Sequence, residues 1–173
     1  MREPPNLLRA AALTGVGFLA ISLVWLRFSS IYDSAIVSGA NALLPADLWL
    51  SRFGGTLTVR IVADAKEYGL AVDALMLHSG LIIVLALVAG TPRRSWTWRG
   101  GAAGIVVVLF YVLQVTGMAV YAVTLRSVLV GENLLGDVQI GFAIFWGLTP
   151  LVIGGLVTYR FWLPVFRRPG RPL

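Results

Sequence analysis

Residues Ala71–Pro92 read AVDALMLHSGLIIVLALVAGTP. The stretch opens amphipathic, carries the single histidine of the chain at His78, runs apolar from Leu81 to Val88 and stops at Gly90-Thr91-Pro92. Roughly 20 residues of helix cross a ~30 Å hydrocarbon layer, and this stretch supplies them behind a polar turn. The pattern predicts a helix whose mouth is wet and whose shaft lies in lipid. His78-Ser79-Gly80 at that mouth is the most specific chemical feature of the chain.

Composition places the rest of the chain in the same setting. Of 173 residues, 58% are hydrophobic and 13% charged, against roughly 45–50% and 25% in a soluble domain. Mean hydropathy is +0.84. One membrane domain over residues 1–173 is expected, because no polar stretch is long enough for a separate soluble unit. The absence of cysteine removes disulfides, thiolate nucleophiles and zinc–thiolate sites.

Four spans are expected, at about 7–26, 72–90, 101–123 and 139–159, in an all-α bundle. Trp25, Leu26, Arg27 and Phe28 follow the first apolar run where a cleaved signal peptide would show small residues, so a retained helix is expected. Residues 27–71 form an extracytoplasmic segment. Its first part mixes Ser30, Asp33, Ser34, Ser38 and Asn41 with Ile31, Ala35 and Ile36, and either extends the first helix or lies at the interface until Pro45 ends it. Leu57, Val59 and Ile61 then alternate with Thr56, Thr58 and Arg60, the period of a half-buried strand. A turn at Asp64–Glu67 and a return over Tyr68–Val72 complete a β-hairpin that feeds the second span. Downstream, PRRSWTWR forms a short basic loop, and Gly100 and Gly104 suit close packing of the third helix. Asp137 suits the N-cap of the fourth, in which Pro150 and Gly154-Gly155 suit a kink.

Charge fixes the expected orientation. Arg2, Arg9, Arg93, Arg94, Arg99, Arg160, Arg167, Arg168 and Arg171 face only Glu3 on the amino-terminal side. The opposite segments carry Arg27, Arg52, Arg60, Lys66 and Arg126 against Asp33, Asp47, Asp64, Glu67, Asp73, Glu132 and Asp137. Basic loops stay cytoplasmic, so both termini are expected inside and the hairpin outside. The net charge of +6 is thereby a topology signal, with the lipid bilayer and its anionic head groups as partner rather than nucleic acid.

His78 could act as a base or bind a ligand; the plainer alternative is an interfacial histidine bonded to a neighbouring helix. No second histidine or matched carboxylate stands out for metal or triad chemistry. Ser79 is a poor nucleophile partner for it, because adjacent helical residues point about 100° apart. Gly80 suits a close helix contact. Arg126 could clamp a carboxylate or phosphate or snorkel to the interface, and Asp73 pairs either with it or with nothing. No phosphate-binding loop, dinucleotide fingerprint, HExxH or GxSxG is present.

The layout over Thr56 to Val157 resembles the exosortase/archaeosortase family of multi-spanning membrane proteins. The resemblance rests on an outer β segment, LMLHSGL at a helix mouth, a basic inner loop, a returning helix ending in TLRS, and a fourth helix opening at GDVQIGF. It implies processing of carboxy-terminal sorting signals outside the membrane, by a cysteine before Ser-Gly, an arginine ending the next helix and a histidine beginning the one after. Here His78 stands at the cysteine position, Arg126 matches the arginine, and Gly136–Gln139 holds no histidine. Acyl transfer by that route lacks its nucleophile.

The expectation is therefore a non-catalytic, exosortase-like accessory protein of the bacterial cytoplasmic membrane, resembling the small membrane proteins that accompany exosortases. His78, Ser79, Gly80 and Arg126 would line an outer-face groove for a protein partner or a sorting-signal peptide, with no cofactor and no metal. The alternatives are an enzyme using His78 and Arg126 in another way and a structural subunit of a larger membrane complex.

Overall fold

The computed structural model describes residues 7–63, 66–92, 94–129 and 135–166. Four helices and a three-stranded antiparallel sheet follow in the order α1 (Leu7–Asn41), β1 (Leu48–Phe53), β2 (Thr56–Ala63), β3 (Lys66–Asp73), α2 (Ala74–Gly90), α3 (Trp96–Leu129) and α4 (Leu135–Phe166). Arg2, Glu3, Arg93, Asp64, Glu132, Arg167, Arg168 and Arg171, all used above to orient the chain, lie outside the described residues.

Three helical stretches are long and apolar enough to cross a membrane: Ala10–Asn41, Trp96–Val128 and Gly136–Phe161. α2 differs. Its 17 residues rise only about 26 Å, and ten of them are buried. A helix apolar on all sides finds its minimum inside, surrounded by other helices, and α2 touches α1, α3 and α4. Small residues let it approach. Gly90 packs on Thr14 of α1, Gly17 of α1 leaves room for Ala89, and Gly80 packs on Pro150 of α4. Gly100 and Gly104 make no such contact; both face open space.

Residues 27–41 continue α1 without a break, which resolves the first alternative in favour of extension over a separate interfacial helix. The 35 residues rise about 52 Å, well beyond a hydrocarbon layer. The polar distal part is used beneath the sheet, where Asp33, Ile36 and Ala40 are buried.

The expected hairpin is the second half of a three-stranded meander, ordered β1-β2-β3. β1 escapes the period-2 signal because Leu48-Trp49-Leu50 is apolar on both faces. β1 and β2 join through Gly54-Gly55, with Gly54 at φ 58°, a left-handed conformation that costs glycine nothing. Across the sheet, Leu48 faces Ile61, Leu50 faces Val59, and Leu57 faces Val72. This row is buried against Ile36 and Ala40 of α1, Leu77 of α2, Met118, Tyr121, Ala122 and Leu125 of α3, and Trp146 of α4. The sheet thus closes one end of the helical bundle.

Specific polar contacts fasten it there. Asn41, the last residue of α1, accepts the Leu50 N–H at 2.6 Å through Oδ1 and donates from Nδ2 to the Leu50 carbonyl at 2.9 Å. It occupies the exposed edge of β1 as one residue of a fourth strand would. Asp73 ends β3 and caps α2: its Oδ1 accepts the Leu75 N–H at 2.8 Å, so its role is helix initiation and not pairing with Arg126. Asp137 falls inside the first turn of α4, which starts at Leu135, rather than at its N-cap.

Candidate functional site

Period 2 along β1 puts Arg52 in the same row as Leu48 and Leu50, on the face turned to the helices. Its guanidinium meets the one carboxylate that α1 sends beneath the sheet: Arg52 Nε donates to Asp33 Oδ2 at 3.2 Å. The other oxygen, Asp33 Oδ1, lies 3.0 Å from His78 Nε2 of α2. That second contact is an ion-pair approach by distance, without the N–H···O alignment of a hydrogen bond. The Asp33 and His78 side chains are 4% and 2% exposed, while Arg52 remains 35% exposed. One carboxylate thus ties together α1, α2 and β1.

Aromatic rings enclose the pair. Trp25 and Tyr32 of α1 stand edge-on to the imidazole, with centroids 5.4 and 5.5 Å away. Tyr32 also meets Trp25 at 5.1 Å and Tyr111 of α3 at 6.3 Å. One turn along, Gln114 of α3 is fully buried and donates to the Leu77 carbonyl at 2.7 Å. The Tyr32 hydroxyl, Trp25 Nε1 and Gln114 Oε1 are buried without a hydrogen-bond partner.

The four residues singled out from sequence go three separate ways. His78 turns inward to Asp33. Ser79 is exposed and donates to the Met76 carbonyl at 3.0 Å, so its hydroxyl serves its own helix. With Gly80 it lines a groove of about 230 Å³ between α2 and α4, whose far wall holds Trp146, Gly147, Pro150 and Leu151. Arg126 leaves α3 to pair with Asp47 at 2.9 Å, both side chains being partly exposed. Asp47 precedes β1 and Arg52 nears its end. Five extended residues separate the two anchors by about 17 Å, so His78 and Arg126 bind different carboxylates at opposite ends of one strand. A larger apolar cleft of about 450 Å³ lies between α3 and α4, lined by residues including Gly117, Tyr121, Gly141 and Phe142.

Asp33 is the functional-type residue that sequence inspection passed over. Carrying α1 through to Asn41 aligns Trp25, Tyr32, Asp33, Ile36 and Ala40 on one helical face, spaced as i, i+7, i+8, i+11 and i+15. A carboxylate on that apolar face demands a partner. The matched carboxylate for His78 thus exists, in the segment that the sequence allows either to extend the first helix or to lie at the interface.

Chemically, the carboxylate stands 3.0 Å from an imidazole, within the reach that general-base chemistry needs. Ser79, the hydroxyl next to His78 in sequence, belongs to the neighbouring groove. Among the described residues no three histidine, aspartate or glutamate side chains gather as a metal-binding group. No family model, no curated protein and no solved structure matches this chain.

Proposed function

We infer that this chain is an integral protein of the bacterial cytoplasmic membrane, a bundle of four membrane helices with both termini in the cytoplasm and the sheet on the outer face. Within that frame it acts as a non-catalytic, exosortase-like accessory protein that holds a protein partner or a sorting-signal peptide at the outer face. The observation that carries this reading is the burial of His78. The position at which the resembled family bears its nucleophile is here 2% exposed and engaged by Asp33, which suits a tie between helices. Binding then falls to the adjoining groove, where Ser79 and Gly80 face Trp146 and Gly147.

Photo-crosslinking from position 79 in native membranes tests this. The expected result is a discrete protein or peptide adduct that disappears when Gly147→Trp fills the groove. Adducts to lipid alone, or an adduct indifferent to Gly147→Trp, would contradict it. His78→Ala and Arg126→Ala should each weaken the association, by loosening the contacts that tie the helices to one another and to the sheet end. Unchanged association in both would also count against it.

A second reading, a structural subunit of a larger membrane complex, is favoured by one observation. Gly100, Gly101 and Gly104 of α3, and Gly147 and Gly155 of α4, have open space where a side chain would stand. Such faces suit another helix. Bulky substitution at Gly104 should then disrupt an assembly seen by native gel, without unfolding the protomer.

A further inference from the structure

The ends of this molecule handle charge differently. The described acidic side chains Asp33, Asp47, Glu67, Asp73 and Asp137 lie on the sheet, in the turn that leads into it, or on helix segments at that end. The ion pairs among the described residues use Asp33, Asp47 and Glu67. At the opposite end, Arg94 and Arg99 have no carboxylate among the described residues and are held by aromatic rings instead. The Arg94 guanidinium sits 3.9 Å from the Phe161 ring centroid and 5.3 Å from that of Trp98. Arg99 lies 4.8 Å over Trp96 and donates from Nη2 to the Thr91 carbonyl at 2.9 Å. Its Nε is buried without a partner.

Ring contacts fix a guanidinium in place without neutralising it. They leave donors of the fork free for a planar, bidentate acceptor. Both arginines flank the first turn of α3, where Ser95 Oγ accepts the Trp98 N–H at 3.2 Å and the helix dipole adds positive potential. Trp96 is 80% exposed at this rim, and exposed apolar residues follow along both helices, with Ile105 of α3 68% and Leu156 of α4 72% exposed. An anionic head above an apolar shaft defines an amphiphile, not a soluble ion.

We propose that Arg94 and Arg99, set on Trp96, Trp98 and Phe161, form a binding site for the phosphodiester head group of an anionic phospholipid. The acyl chains run along the exposed apolar faces of α3 and α4. The site requires only that this rim meet a membrane surface, and so stands apart from the partner proposed for the opposite face.

Full-length protein in a neutral maltoside detergent is titrated with phosphatidylglycerol, with phosphatidylcholine of the same acyl chains, or with water-soluble glycerophosphoglycerol. Bound lipid is counted by native mass spectrometry. Wild type should prefer phosphatidylglycerol over phosphatidylcholine, and Arg94→Gln and Arg99→Gln should each lower phosphatidylglycerol affinity about fivefold. Arg60→Gln, on the sheet, should leave it unchanged. Equal affinity for the two lipids in wild type, or a preference that survives both substitutions, overturns the site. Glycerophosphoglycerol binding as tightly as the intact lipid overturns its assignment to a lipid. Arg94 is exposed and, among the described residues, makes ring contacts alone, so Arg94→Gln and the wild-type comparison decide the matter even if Arg99→Gln fails to fold.

Discussion

At the level of single residues, the heaviest consequence attaches to Asp33. A buried charge that keeps its partners roughly balances its desolvation, whereas one left alone costs about 3–5 kcal/mol. His78→Ala or Arg52→Ala strips the carboxylate of one partner and should destabilise the fold. His78 should matter more, since Arg52 is partly solvated. Replacing Asp33 and His78 together by leucines of suitable volume should cost much less than either single change. Unfolding midpoints in detergent measure this, and additive losses would show that the 3.0 Å contact carries no coupling. Gly80 makes a second prediction. A methyl group there meets the Pro150 ring, so Gly80→Ala should lose about 1–3 kcal/mol by prising α2 from α4. Gly100→Ala, facing open space within α3, should gain up to about 1 kcal/mol from helix propensity. The two glycines look alike in sequence, and only their neighbours across the helix interface separate them.

Among the elements, the sheet is held by separate polar contacts, and each can be removed in turn. Asn41→Ala withdraws both amide contacts from Leu50 and should speed hydrogen exchange at the Leu50 N–H before that at Val59, which lies in the central strand. Equal acceleration at both would mean that the sheet opens as one unit. Legibility in the sequence followed the strength of each periodic signal. β2 was plain because leucine, valine and isoleucine alternate with threonine and arginine. β1 was hidden because Trp49 is apolar on the outer face, and with it went the placement of Arg52 on the inner one. The helices were legible from their apolar runs. Their ends were not: α1 passes through the polar residues 29–41 because the sheet covers one face of that part, at Asp33, Ile36 and Ala40. Asp33 became visible as the partner of His78 only once that continuity was known, since pairing across α1 and α2 is a tertiary fact that no spacing within either helix encodes.

Over the whole molecule, the two ends divide the work. One end carries the sheet, all the described acidic side chains, the Arg52–Asp33–His78 chain and the groove at Ser79 and Gly80; the other carries ring-held arginines with no counter-charge among the described residues. Three helices are long and apolar enough to cross a bilayer, and the short α2 packs among them, so the outer-face function proposed here depends on which end lies outside. The cysteine-free chain allows that to be measured cleanly with single cysteines at two matched positions, Phe53 at the sheet and Trp96 at the opposite rim, which are 84% and 80% exposed. A membrane-impermeant maleimide added to intact cells should label Phe53→Cys directly and Trp96→Cys only after permeabilisation. Labelling of Trp96→Cys in intact cells, with Phe53→Cys protected, would place the sheet in the cytoplasm and contradict the account.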